Sequence, residues 1–226
     1  MAIFSETWLD PEVDREDLSL HLEKTSVHFN SRGRGKGLAV YIREKKFNIV
    51  ENVNTESLQM TLLQNHYCYV LGLYRSQQDT TLALELRRII TSSGTCLIIG
   101  DFNLCSKKTS THQVFLTLKS LGFNLIIHEA THIEGGHLDQ AWLRSEKESC
   151  NIEVYSPYYN CKDHDALLCT IYDPSTEKGK ICPSISKFSN EVVLGVKKQS
   201  RHGRFKKGPM AKIIKCESYR GCGQFS

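Results

Sequence analysis

Cys96-Leu97-Ile98-Ile99-Gly100-Asp101-Phe102-Asn103 is the stretch on which the reading of this chain turns. A short apolar run with β-branched residues, bounded by glycine, has the make-up of a buried strand. Gly100 allows the backbone to turn sharply and to come close to whatever lies at the strand end. Asp101 and Asn103, on either side of apolar Phe102, would then stand at the carboxyl edge of a sheet, where α/β proteins place ligands. Gly, Asp and Asn are also the commonest turn residues, and the fragment by itself reads first as an ordinary turn. The rest of the chain overturns that reading.

Working outward, Cys68 to Arg75 predicts a strand that carries Tyr74 at its end. Thr80 to Ser92 has apolar residues at 82, 83, 86, 89 and 90 with Asp79 ahead as a cap, the pattern of a helix packed on a sheet. Thr111 to Leu121 repeats that pattern and Gly122 ends it. Further strands are expected at 124–127, 138–144, 151–155 and 166–172. Upstream, Ala2-Ile3-Phe4 leads to Glu6 and then to an acidic loop. A meander over 37–43, 48–53 and 58–63 follows the glycine-rich loop 32–37. Many strands and few helices argue for sheets stacked in layers with helices outside.

The chain of 226 residues, 40% hydrophobic, is long enough to bury a sizeable core in one domain. Its nine cysteines form no CxxC pair and several sit in apolar runs, as free thiols of an intracellular protein do. No basic leader opens the chain, and no run of about eighteen apolar residues occurs. The expectation is an intracellular protein with no signal peptide and no membrane span, nuclear if it acts on chromosomal DNA. Charge divides the chain in two. From Ser175 on, twelve Lys/Arg face three acids, about +9; before it seventeen face twenty-two, about −5. Residues 1–174 are therefore read as the domain, and 175–226 as a basic, disordered tail whose deletion leaves the core intact.

Glu6, Tyr74, Asp101, Asn103, Asp139, Asp163 and His164 each stand at or beside the end of a strand-like run. They are of the types that bind a hard cation and phosphate. Mg²⁺ takes carboxylate and water oxygens, so one or two protein carboxylates suffice. A His beside an Asp, supported by another carboxylate, can orient or deprotonate a water.

In that order the chain resembles the endonuclease/exonuclease/phosphatase superfamily. The matching segments are Ser5-Glu6-Thr7-Trp8-Leu9, Gly37 to Arg43, Gly72-Leu73-Tyr74-Arg75, Gly100-Asp101-Phe102-Asn103, Thr131 to Asp139 and Asp163-His164-Asp165-Ala166-Leu167. Glu-Thr-Trp-Leu and Thr-His…Gly-Gly-His-Leu-Asp are most similar to the mobile-element branch, retrotransposon or Helitron-like, whose endonucleases accompany a reverse transcriptase. The resemblance implies an α/β (α+β) fold, a four-layer sandwich of two packed mixed β-sheets with helices outside. Family members carry a strand bearing an Asn, then a helix, ahead of the segment matching Glu6. Here that first strand and helix are missing, which would leave an unpaired edge on the neighbouring strand.

The resemblance also implies roles. Glu6 and Asp163 would hold Mg²⁺, with Mn²⁺ as a substitute. Tyr74 and Asn103 would contact the scissile phosphate, Asp101 would handle the proton of the attacking water or leaving group, and Asp139 would orient His164. Arg32, Arg34 and Lys36 in the glycine-rich loop are candidates for nucleic-acid backbone contacts, a solvated loop being the competing reading. The function implied is Mg²⁺-dependent nicking of DNA, with no small organic cofactor. Two alternatives stay open: a truncated, weak or inactive relative that binds nucleic acid or protein, and a phosphatase acting on a small phosphoester.

Overall fold

A computed structural model describes residues 1–5, 7, 25–30, 36–43, 46–65, 68–90, 95–107, 111–144, 149–155, 165–172 and 212–218. The elements run β1 (Ala2–Ser5), β2 (Thr25–Asn30), β3 (Leu38–Arg43), β4 (Asn48–Asn54), β5 (Leu58–Gln64), β6 (Cys68–Arg75), α1 (Leu82–Ile89), β7 (Thr95–Asp101), α2 (Gln113–Ser120), β8 (Asn124–Leu125), β9 (Asp139–Arg144), β10 (Ser149–Tyr155), β11 (Ala166–Tyr172) and β12 (Lys212–Ser218). They form two six-stranded sheets, ordered β10-β11-β12-β1-β3-β2 and β4-β5-β6-β7-β9-β8. Each is mixed, with one parallel pair: β11 with β12 in the first and β6 with β7 in the second.

Strand periodicity explains the stacking, because alternate residues face opposite sides. Ile3, Leu38, Val40, Ile42 and Leu167 of the first sheet meet Leu63, Val70, Leu97, Ile99, Ala141 and Leu143 of the second in one core. The other face of the second sheet buries Leu58, Met60, Leu71, Leu73, Ile98 and Trp142 against Leu82, Leu86 and Ile89 of α1 and Val114, Phe115 and Leu118 of α2. With both faces covered, β5 reads as a continuous buried run rather than an alternating one. Helix α1 is the crossover that the parallel pair β6/β7 requires. Gly72 lets the sheets close, since a Cβ there would lie 2.8 Å from Cδ1 of Ile3.

The expected stack of two mixed sheets is what the chain forms, and among the described residues the helices cover the outer face of the second sheet. Both helices begin on side chains: Asp79 accepts from the Leu82 N–H at 3.0 Å, and His112 Nδ1 accepts from the Val114 N–H at 3.2 Å. Gly122, at φ +82°, ends α2 as its sequence position predicts. No helix among the described residues is long and apolar enough to cross a membrane.

Four expectations need correction. Lys212–Ser218, placed by its charge in a disordered tail beyond residue 174, is a strand inside the first sheet, antiparallel to β1 and parallel to β11. β1 is therefore paired on both sides, by β12 and β3, and the unpaired edge expected beside it is filled. Thr25–Asn30, where no strand was expected, is a strand antiparallel to β3. Gly100 is not the turn: the strand runs through it to Asp101, and the backbone turns at Asn103, at φ +48°. What requires glycine at position 100 is the close approach of β6, because a Cβ there would run into the Leu73 carbonyl oxygen.

Candidate active site

Register places four polar side chains in one line. Gln59 pairs with Tyr74, Tyr74 with Asp101, and Asp101 with Asp139, across β5, β6, β7 and β9. Residues directly opposite one another share a face, so all four project toward the first sheet, beside the core that Tyr74 joins. At about 4.8 Å per strand the line spans roughly 14 Å. Tyr74 is 3% exposed and the other three 1% or less. The next line inward, Thr61, Gly72, Ile99 and Ala141, begins the apolar interior, so the polar line closes one end of the sandwich.

Asp101 is held by the residue two places on. Its Oδ1 accepts from the Asn103 N–H at 2.9 Å and its Oδ2 from the Asn103 Nδ2 at 3.1 Å. The same Nδ2 donates to the Arg75 carbonyl at 2.8 Å, so the left-handed Asn103 ties β7 to β6. Both amide hydrogens thus point into the protein, and the phosphate contact expected of Asn103 requires one of these bonds to be given up. Behind them lies a buried Arg75. Its Nη1 donates to the Phe102 carbonyl at 3.2 Å, its Nη2 to the Asp79 carbonyl at 2.6 Å, and its Nε lies 3.6 Å from Asp79 Oδ2. Burial pulls its pKa below the ordinary arginine value, while the charges of Asp79 and Asp101 act in the opposite direction.

Asp139 is anchored through Thr131, whose Oγ1 accepts from the Asp139 N–H at 3.0 Å. The Thr131 carbonyl in turn accepts from the Asp165 N–H at 2.8 Å, which brings the start of β11 to this end of the molecule. Leu167 aligns with Ile214 and Ile214 with Ile3, so the Asp165 end of β11 is also the Ser5 end of β1. Ile3 packs on Gly72, two residues short of Tyr74. Ser5, on the same face as Ile3, therefore stands at the rim across from the polar line. Its Oγ is buried without a hydrogen-bond partner.

Tyr74, Asp101, Asn103 and Asp139 thus lie together at one end of the second sheet. Glu6, Asp163, His164, Arg32 and Arg34 lie outside the described residues. Lys36 pairs with Glu56 at 3.3 Å, an exposed contact on the glycine-rich side. His132 Nδ1 accepts from the Glu134 N–H in a turn, and His137 is buried with its pKa lowered, first by burial and then by Lys107. No three His, Cys, Asp or Glu side chains among the described residues converge as a cation site. The metal ligands expected at Glu6 and Asp163 are both carboxylates, the donor type that Mg²⁺ takes. Sequence reasoning missed Gln59, Ser5, Arg75 and Thr131. The available signal for Gln59 was a lone carboxamide in the run Leu58-Gln59-Met60-Thr61-Leu62-Leu63.

No protein-family model matches the chain, and no curated protein matches its sequence. Solved structures of the endonuclease/exonuclease/phosphatase fold do resemble it. One is the endonuclease domain of TRAS1, a telomere-specific non-LTR retrotransposon, at 12% identity over 64% of this chain and 76% of that one, TM-score 0.47. Another is an AP endonuclease from Archaeoglobus fulgidus, at 13% identity over 67% and 80%, TM-score 0.47. A mannosyl-6-phosphatase from Bacteroides thetaiotaomicron matches at 14% identity over 66% and 76%, TM-score 0.43.

Proposed function

We propose that this chain hydrolyses phosphodiester bonds and that its substrate is DNA, nicked on one strand as by the endonuclease of a mobile element. One observation carries the reading: Tyr74, Asp101 and Asp139 are successive partners in the sheet at the end of the sandwich, with Asp101 gripped by Asn103. Cleaving a phosphodiester builds charge on the non-bridging oxygens and on the leaving oxygen, so the reaction needs fixed donors and a placed proton acceptor. Asp101, its carboxylate fixed in direction by two bonds, takes the proton of the attacking water or returns one to the leaving group. Tyr74, one strand away, offers a hydroxyl to the phosphoryl group. Asp139, on the other side of Asp101, orients His164, whose imidazole handles the attacking water. Glu6 and Asp163 would hold Mg²⁺ or Mn²⁺, which supplies Lewis-acid stabilisation of the phosphoryl oxygens when bound.

The test is nicking of supercoiled plasmid with Mg²⁺ or with EDTA, alongside RNA and inositol-phosphate substrates. Metal-dependent nicking without phosphate release from inositol phosphates is expected. Phosphate release without nicking would replace this reading by the phosphatase one. Oligonucleotide binding with no turnover would replace it by the binding module.

A further inference from the structure

Gln59 is fully buried, and neither its Nε2 nor its Oε1 has a hydrogen-bond partner. Buried amides are nearly always satisfied, and one left bare is destabilising to the folded chain. Gln59 heads the polar line, next to Tyr74 and on the side away from Asp101 and Asp139. Across the rim on the first sheet, over Tyr74 and so one strand aside from Gln59, stands Ser5, whose buried Oγ is likewise without a partner. The two belong to different sheets and face the same inter-sheet space. Apolar residues would fill both positions at less cost if their only task were packing, as Leu63 does in β5 and Ile3 in β1.

We propose that Gln59 and Ser5 form a neutral binding subsite for the substrate strand beside the scissile phosphate, the Gln59 Nε2 and the Ser5 hydroxyl both donating to a phosphoryl oxygen. The proposal rests on the phosphodiesterase reading and extends it along the strand. Neutral donors suit this place: they bind an anion without adding a positive charge that would draw Asp101 and Asp139 away from it. Both side chains are buried, so the substrate meets them on opening of the rim, and each gains in the complex the partner it lacks in the free chain.

That asymmetry gives the test two readouts of opposite sign. Gln59→Leu, close in size and apolar, removes a bare amide, so the free protein should melt at a higher temperature. The same variant should bind a fluorescent single-stranded oligodeoxynucleotide, followed by anisotropy in Mg²⁺, about tenfold more weakly, the effect of one lost hydrogen bond to a charged group. Gln59→Glu, isosteric but anionic, should bind more weakly still, and it provides the binding comparison if the leucine variant does not fold. Binding by both variants as tight as the parent's overturns the proposal, as does a parent that does not bind the oligonucleotide. Plasmid nicking by the parent is scored separately. Weakened binding in the variants of a parent that binds but never nicks would leave the subsite standing and remove the catalytic reading.

Discussion

Replacing Asp79 by alanine should cost the fold far more than an ordinary cap. The carboxylate is fully buried, and it accepts from the Leu82 N–H, the Thr81 N–H at 3.2 Å, the Thr81 hydroxyl at 2.7 Å and the Ser57 hydroxyl at 3.2 Å. Losing the helix start accounts for about 1 kcal/mol. The larger part comes from Arg75, 4% exposed at its side chain, which keeps its carbonyl partners and the more distant charge of Asp101 but loses the carboxylate paired with it. Breaking a buried pair from one side costs roughly 3–5 kcal/mol, because the remaining charge stays buried. The sum, about 4–6 kcal/mol, is a large part of the 5–15 kcal/mol of a typical domain. Urea denaturation of the parent, Asp79→Ala, Arg75→Met and the double variant forms a cycle that isolates the pair. The double variant should recover much of the loss, since no charge is then stranded. A loss below about 1 kcal/mol in Asp79→Ala, the scale of the cap alone, or a double variant equal to the sum of the singles, would refute the account of Arg75 as an ion held by Asp79.

Removing residues 175–226 deletes β12, which pairs with β1 over four residues and with β11 over five. About nine ladder bonds at roughly 0.5–1.5 kcal/mol each approach the whole stability of a domain. Cooperative unfolding should therefore be lost, and a sharp transition in the truncated chain would show β12 to be dispensable. Asp101→Ala and His164→Ala should each lower plasmid nicking by roughly 10²-fold or more, and parental rates in either would remove that residue from the site. His112 and His137 both have lowered pKa values, each first through burial and then through a neighbouring cation, Arg75 for the one and Lys107 for the other. The unfolded chain then takes up these protons more readily than the folded one. Their contribution is complete above the ordinary histidine value of about 6.5 and is lost as pH falls from there toward the folded values. Urea midpoints should drop between about pH 7.5 and 5.5, and less so in His112→Asn, which keeps a capping oxygen; an unchanged drop would exonerate His112.

Where an element's own residues decide its conformation, the sequence was legible. Cys68–Arg75 and Ala166–Tyr172 are apolar, β-rich runs between breakers and form strands at those bounds. Glycine 122 stops α2 because few other residues tolerate φ +82°. Thr25–Asn30 escaped because register, not hydrophobicity, decides its faces. Asn30 lies opposite core-facing Leu38 and His28 opposite Val40, so the polar residues of the strand take the inner side. Asn30 satisfies itself there by donating to Asn52 Oδ1 of the other sheet at 3.2 Å. Lys212–Ser218 escaped because its strand partners lie far away in the chain while its immediate neighbours are basic. The site divides in the same way. Asp101, Asn103, Asp139 and Tyr74 could be named from motifs, but the line that joins Gln59 to them exists only after four strands have been put in register.

The place of β12 also sets a timetable for folding. Ile3 and Ile214 are Cα partners, and the sheet between β1 and β11 cannot zip until a segment from the far end of the chain arrives. At synthesis rates of about 5–20 residues per second, β1 waits roughly 10–40 seconds on the ribosome with one edge open. The second sheet, built wholly from residues 48 to 144, is complete well before that. Contacts of such long sequence separation make for slow folding. The nascent half-sheet is thus the species most exposed to edge-to-edge association. A chaperone that shields β1 during this interval, or a faster translation rate that shortens it, would raise the yield of native protein without altering its stability.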